Sequence, residues 1–337
     1  MLHVLVLGAF APFARSPLQQ HRIATCSLQR SRPVAATLDA EPHARLILVR
    51  HGQSEWNRAN RFTGWVDVDL TEQGIAEARE AGRLLGAEGL LVDEVHTSFL
   101  RRAIRSSVLM LSTLNQCWVP VTKHPRLNEQ HSGMLTGQNK RELAQEYGVD
   151  QVMAWRRKYD EPPPDAVGRL QKMIQADDRY KRVPEGGVGE IIEVPQSESL
   201  AMVCERLDPL WKETILPSLR AGRTVMVVSH GNTVRATSDE SRLASLRPLP
   251  SATLARHSPQ RLLVLLLSRR SPPLQLRALV KRIDGVNEEG AYFLDLPTAT
   301  PLVYEFDAAM EHLQPHGVWG DGPRAPVRHG RYLIEEG

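Results

Sequence analysis

Two short apolar runs constrain this chain more than any other feature. Leu46–Val49 (LILV) runs straight into Arg50-His51-Gly52, and Thr224–Ser229 (TVMVVS) runs straight into His230-Gly231-Asn232. An uninterrupted apolar run of this length reads as a strand covered on both faces. Around these runs the pattern alternates. Thr71 predicts the cap of a helix reaching about Glu88, with Ile75, Ala78, Ala81, Leu84 and Leu85 on one face. "DEVHTS" reads as a second strand, 99–114 as a helix and "CWVPV" as a third strand. Residues 138–158 read as helical with a break at Gly148, and "EPPPD" is a hard stop because proline removes a donor and fixes φ. Residues 166–196 read as irregular around "EGGVGE". Ser197 reads as the opening of a helix with Leu200, Val203, Leu207, Trp211 and Ile215 on one stripe. Such alternation predicts an α/β three-layer sandwich, a mostly parallel central sheet flanked by helices. Ligands of such sheets sit beyond the carboxyl ends of the strands, where both His-Gly pairs fall.

An arginine, an imidazole and a glycine at a strand end suit a phosphoryl group. Arginine offers a planar fork for two oxygens. Glycine allows close main-chain approach, and a helix starting there aims free N–H groups at an anion. A neutral imidazole can attack phosphorus and carry the group as a phosphoramidate. Two histidines from two strand ends could flank one phosphorus, one attacking and one donating to its oxygens. Arg102, in "FLRRAIRS", adds a cation at a helix start, and Glu129, in "RLNEQHSG", is a candidate general acid/base. Alone, each residue has a duller reading: a structural histidine, a solvated arginine, a loop carboxylate. The conjunction of two strand-end His-Gly pairs with an Arg-rich helix start is hard to explain as packing.

Composition narrows the class. The chain of 337 residues has room for one large domain or two small ones, and its longest apolar run is too short to cross a bilayer. Cys26, Cys117 and Cys204 form neither a disulfide framework nor a zinc pattern, which suits a reducing compartment. The formal charge of +3 misleads: residues 1–38 carry +4 and residues 237–276 another +4, leaving −5 for the remainder. A nucleic-acid surface needs its basic residues within the folded part, so that class is set aside. Residues 1–38, apolar at first and then Arg- and Ser-containing without an acid, read as a targeting presequence. "AFAPFARS" resembles the leader of algal plastid proteins, with a mitochondrion, or the cytoplasm if the leader is spurious, as alternatives.

The motifs "LVRHGQSEWNRANRFTGWVDVDLTEQG", "TSFLRRAIRS", "RLNEQHSGMLTGQNK", "WRRKYDEPPPD", "SHGNTVRA", "RALVKRIDG" and "LPTATPLVYEFD" together resemble the 2,3-bisphosphoglycerate-dependent phosphoglycerate mutases of the histidine phosphatase superfamily. RHG alone would indicate only the superfamily; "FTGW", "WRRKYDEPPP" and "LPT…PLVYE" point to the mutase branch. The resemblance covers about residues 45–236 and 277–307, and implies one catalytic domain over 44–335. It implies that His51 is phosphorylated and that Arg50, Arg102 and His230 form the phosphate cage. It makes Glu129 the proton donor and acceptor. Ser54, Asn57, Thr63 and Gly64 would line phosphate and substrate. Lys140, Arg156 and Arg157 would grip the carboxylate and second phosphate, with Gly231 and Asn232 closing the pocket. The implied reaction interconverts 3-phosphoglycerate and 2-phosphoglycerate in glycolysis and gluconeogenesis, primed by 2,3-bisphosphoglycerate, with no metal. By family analogy the protein would be a homodimer, with no nucleic-acid or membrane partner.

The chain also departs from that family. Gln130 and Ser132 stand where members usually carry Arg and Tyr. Each loss could weaken substrate grip by about 1–3 kcal/mol if buried groups go unpaired. An atypical stretch at about 237–278 interrupts "HGNTVRA…RALVK" and duplicates its Arg-Ala pair, as a retained intron or a true excursion would. "RYLIEEG" resembles the start of the family's flexible tail. Without that lid, water competes for the phosphohistidine. Two alternatives follow: a phosphomonoesterase or bisphosphatase on the same scaffold, or a catalytically impaired scaffold protein.

Overall fold

The computed structural model describes residues 41–181, 193–231, 275–285, 287, 296–311 and 330–334. The proposed presequence, Asn232 and most of the atypical stretch lie outside these residues. The sheet has six strands: β1 Ala44–Arg50, β2 Glu94–Thr97, β3 Val121–Lys123, β4 Thr224–Ser229, β5 Leu302–Phe306 and β6 Arg331–Tyr332. Their order is β3-β2-β4-β1-β5-β6. The β1–β4, β2–β4 and β2–β3 pairs are parallel, and β5 and β6 close one side antiparallel. The chain lays down β1, moves outward to β2 and β3, and returns to slot β4 between β1 and β2. That return makes Arg50 the register partner of Ser229, so the two His-Gly pairs end side by side.

Strand alternation builds two cores. Leu46 and Leu48 of β1, with Val225 and Val227 of β4, face α7 (Leu200–Leu210), α8 (Leu216–Arg220) and α9 (Gln275–Ile283). Ile47 and Val49, with Met226 and Val228, face α2 (Glu72–Ala87) and α3 (Arg101–Thr113), which follows the four-residue α1, Glu55–Arg58. The α/β sandwich read from the sequence is the observed fold. Thr71 caps α2 by accepting from the Gly74 N–H at 3.0 Å. The break at Gly148, φ +83°, divides α4 (Lys140–Tyr147) from α5 (Val149–Arg157). Among the described residues no helix is long and apolar enough to cross a membrane.

Three local expectations are corrected. "CWVPV" is not the strand: Trp118 is 77% exposed, and β3 starts only at Val121. Pro120 has no N–H to pair, and its carbonyl only accepts from Val95 at 2.9 Å. Ser197 does not open α7. Its hydroxyl donates to Asp165 at 2.6 Å, and Ser199 is the cap. The stretch read as irregular holds α6, Arg169–Ala176, which buries Gln171 and Ile174. Where the resemblance resumes after the atypical stretch, Leu276, Arg277 and Ala278 are buried in α9. The downstream copy of the duplicated Arg-Ala pair is therefore a core element.

One buried polar chain on β2 predicts acid sensitivity. His124 Nε2 and His96 Nδ1 lie 3.1 Å apart, and His96 Nε2 lies 3.1 Å from Glu94, which also holds Arg223. Burial lowers the pKa of His96 and pushes that of His124 down to about 4, helped by His96 and Arg126. The unfolded chain titrates near 6.5, so this contribution is complete above that pH and is lost as pH falls toward 4. Thermal unfolding should show a stability loss of about 1–3 kcal/mol across that window. A His124→Gln variant keeps a donor for His96 and should shallow the slope. An unchanged slope would discard this assignment.

Candidate active site

The site sits at the carboxyl ends of β1, β2 and β4. Hydrogen bonding between β1 and β4 continues past the strands, His51 N–H donating to Ser229 O at 2.9 Å. This brings the His51 and His230 rings to 5.1 Å between centroids, tilted by 58°. Both rings are almost wholly buried. His51 Nδ1 lies 2.6 Å from Gly52 O, so it carries the proton and leaves Nε2 as the free lone pair. His230 Nε2 lies 2.6 Å from Ser98 Oγ, and its Nδ1 is buried with no partner among the described residues. A buried, unpaired imidazole nitrogen asks for a ligand.

Glu129 completes the cluster: donor atoms of His51, Glu129 and His230 all lie within 4.8 Å of one another. That spacing would also fit a metal ion. The surrounding charge is cationic: Arg50 and Arg102 act on both His51 and Glu129, and Lys140 acts on Glu129 too. A concentration of cations in a buried site favours an anion. Burial, reinforced by Arg102, holds the pKa of His51 and of His230 well below the usual range, so both rings are neutral. Burial raises the Glu129 pKa, with Arg102 and Arg50 opposing. Burial, with Arg156 and Arg50 alongside, holds the Lys140 pKa well below the ordinary lysine value.

Arg102 lies in the first turn of α3, where Leu100 is the cap, and donates to Val66 O at 2.9 Å and Gly64 O at 3.0 Å. Gly64 has φ +52°, the left-handed region glycine tolerates, and Thr63 beside it is buried. Lys140 and Arg156 are both buried, within 5.4 and 5.9 Å of the Phe62 ring centre. Arg157, next along α5, is half-buried, and Gly231 is buried beside His230. Arg50 donates to Leu296 O at 3.4 Å, and its carbonyl accepts from Ala299 N–H at 2.9 Å. The "LPTATP" segment thus folds back over the first strand end.

One expectation about a local role changes. Gly52 was read as making room for a ligand, but an added Cβ would lie 2.1 Å from Gly74 O. Its absence lets the start of α2 close against the strand end, and its N–H donates to Ser106 Oγ at 3.1 Å. Ser54 and Asn57 cap α1 reciprocally, Asn57 N–H to Ser54 Oγ at 3.3 Å and Ser54 N–H to Asn57 Oδ1 at 3.2 Å. Sequence reasoning missed Ser98, Trp65, Asn128, Tyr180, Glu198 and Arg206, which touch or brace the cluster. No periodicity marks them, and each is brought in by tertiary contact.

Residues 46–190 match the model of the histidine phosphatase superfamily (branch 1). A 2,3-bisphosphoglycerate-dependent phosphoglycerate mutase of Corynebacterium diphtheriae is 40% identical over 87% of this chain and 98% of its own length. Among solved structures, a mycobacterial hydrolase aligns with TM-score 0.49 at 18% identity, over 86% of this chain and 97% of that one. A mycobacterial glucosyl-3-phosphoglycerate phosphatase aligns with TM-score 0.48 at 20% identity, over 77% and 92%. With two-fifths of the aligned residues identical along nearly the whole of the corynebacterial enzyme, this chain belongs to the 2,3-bisphosphoglycerate-dependent phosphoglycerate mutase family of the histidine phosphatase superfamily.

Proposed function

We propose that this protein interconverts 3-phosphoglycerate and 2-phosphoglycerate through a phosphoryl group carried on His51 and primed by 2,3-bisphosphoglycerate. The observation that carries the reading is the facing pair of neutral, buried imidazoles at 5.1 Å, with a carboxyl group in the same cluster. His51 Nε2 attacks phosphorus while its Nδ1 keeps its proton, donated to Gly52 O. With Ser98 donating to His230 Nε2, His230 presents Nδ1–H to a phosphoryl oxygen, and Arg50 and Arg102 hold the others. Glu129 hands a proton to the leaving sugar-acid oxygen and takes it from the attacking hydroxyl on return. Its raised pKa makes the protonated form easier to reach than in an ordinary carboxyl group. Lys140 and Arg156, a second pair of buried basic side chains, would hold the carboxylate and the distal phosphate.

Gln130 and Ser132 favour a second reading, phosphomonoesterase activity. The Gln130 side chain donates to Glu198 O, so it brings no charge to the substrate. Ser132 places only a hydroxyl near Gly64. Isomerisation of 3-phosphoglycerate, with and without bisphosphate, should be compared with release of inorganic phosphate. The proposal expects bisphosphate-dependent isomerisation to exceed hydrolysis by at least about 10-fold; faster hydrolysis would select the phosphatase.

A further inference from the structure

Glu129 sits in a loop between two short 3-10 turns, Pro125–Leu127 and Gly133–Leu135. A main-chain N–H, that of Gln130 at 3.2 Å, donates to its carboxylate. The place of the carboxyl group is therefore inherited from the backbone, and groups from distant elements hold that backbone. Arg206 of α7 donates to the carbonyls of Pro125 at 3.2 Å, Arg126 at 2.6 Å, Asn128 at 3.2 Å and Glu129 at 3.5 Å. Its Nε donates to Glu198 at 2.7 Å, and the other oxygen of that carboxylate accepts from His131 N–H at 2.9 Å. The Trp65 indole donates to Glu129 O at 2.5 Å, with the Arg206 guanidinium 5.5 Å from its ring. Tyr180 packs on the same indole at 5.0 Å, and its hydroxyl accepts from Asn128 Nδ2 at 3.0 Å.

We infer that Arg206 is a positioning residue for the Glu129 carboxyl group, with Tyr180 a second brace acting through Asn128 and Trp65. A guanidinium carries five donors in one plane, and here they gather carbonyls from four loop residues that would otherwise lack a common partner. An ammonium keeps the charge and loses the geometry. Proton transfer needs the carboxyl within hydrogen-bond reach of the reacting hydroxyl, so a shift of about 1 Å costs on the order of 100-fold in rate. The inference rests on Glu129 being the proton shuttle.

The test uses the full chain with Arg206→Lys and Tyr180→Phe, each alone and combined with Glu129→Gln. Each single variant should lower kcat about 10- to 100-fold with KM within about 3-fold, Arg206→Lys the more. The acid limb of the kcat–pH profile should move to lower pH, because a loosened loop admits water to the carboxyl group. In the Glu129→Gln background the same substitutions should cost less than about 3-fold, since they act through a group already removed. If Glu129→Gln is itself nearly silent, the shuttle assignment fails and this inference falls with it. If Glu129→Gln is severe and the losses still multiply in full, the shuttle stands and the positioning role is overturned. Should Arg206→Lys not fold, Tyr180→Phe decides by the same two readouts.

Discussion

Replacing His51 with alanine should lower isomerisation by about 10⁴-fold or more, with no acid-labile phosphate left on the protein after incubation with bisphosphate. That is about 5.5 kcal/mol of transition-state stabilisation. The expectation follows from tautomer and placement together. Gly52 O fixes the proton on Nδ1, burial and Arg102 keep the ring neutral, and Nε2 is the one lone pair of that ring left to attack. Alanine leaves the cage intact, so substrate should still bind with KM changed by less than about 10-fold. His230→Ala gives the contrast. It removes a donor rather than the nucleophile, so labelling should slow yet still occur. Full labelling of the His51→Ala protein would place the nucleophile elsewhere.

Replacing Glu129 with glutamine should cost about 10²- to 10⁴-fold in kcat, and it should abolish one limb of the pH profile. Burial raises the carboxyl pKa above its ordinary value, while Arg102, Arg50 and Lys140 limit the rise. As base, Glu129 must be ionised, so transfer to the enzyme-bound hydroxyl fails as pH falls through that raised pKa. As acid it must be protonated, so the opposite step weakens as pH climbs above it. Glutamine, which does not titrate, should give a flatter, uniformly slower profile. The same substitution should stabilise the fold or leave it unchanged above the raised pKa. There the native carboxylate is charged and desolvated, and a raised folded pKa means its contribution to stability falls as pH rises. A profile that keeps its acid limb in this variant would assign the limb to another group.

Much of the architecture is legible in the sequence. The apolar runs of β1 and β4, the Thr71 cap and the break at Gly148 are local signals. Each needs only the side-chain period or one residue's preferred φ. The misreadings share a cause. Trp118 belongs by composition to an apolar run, yet Pro120 denies that run a ladder. Ser197 and Ser199 are equivalent capping candidates until Asp165 takes the hydroxyl of the first. Gly52 looked like a place for a ligand because only its own neighbourhood in sequence was visible. The backbone that needs the space arrives from Gly74.

For the site, residue types and strand-end locations were readable, because an apolar run that ends on Arg-His-Gly has a limited set of uses. Their convergence was not. That His51 and His230 face each other depends on β4 returning between β1 and β2, a long-range pairing to which no short window of sequence bears. The supports of Glu129 were invisible for the same reason. Arg206 and Trp65 reach it from a helix and a loop, with hydrogen bonds that end on main-chain carbonyls, which every residue has, and Tyr180 reaches it through the side chain of Asn128. Sequence by itself determined the fold class and the chemical character of the pocket, through local periodicity and residue chemistry. Only the tertiary structure decided which neutral imidazole has its lone pair free, and what holds the carboxyl group beside it. Those depend on distances between segments far apart along the chain.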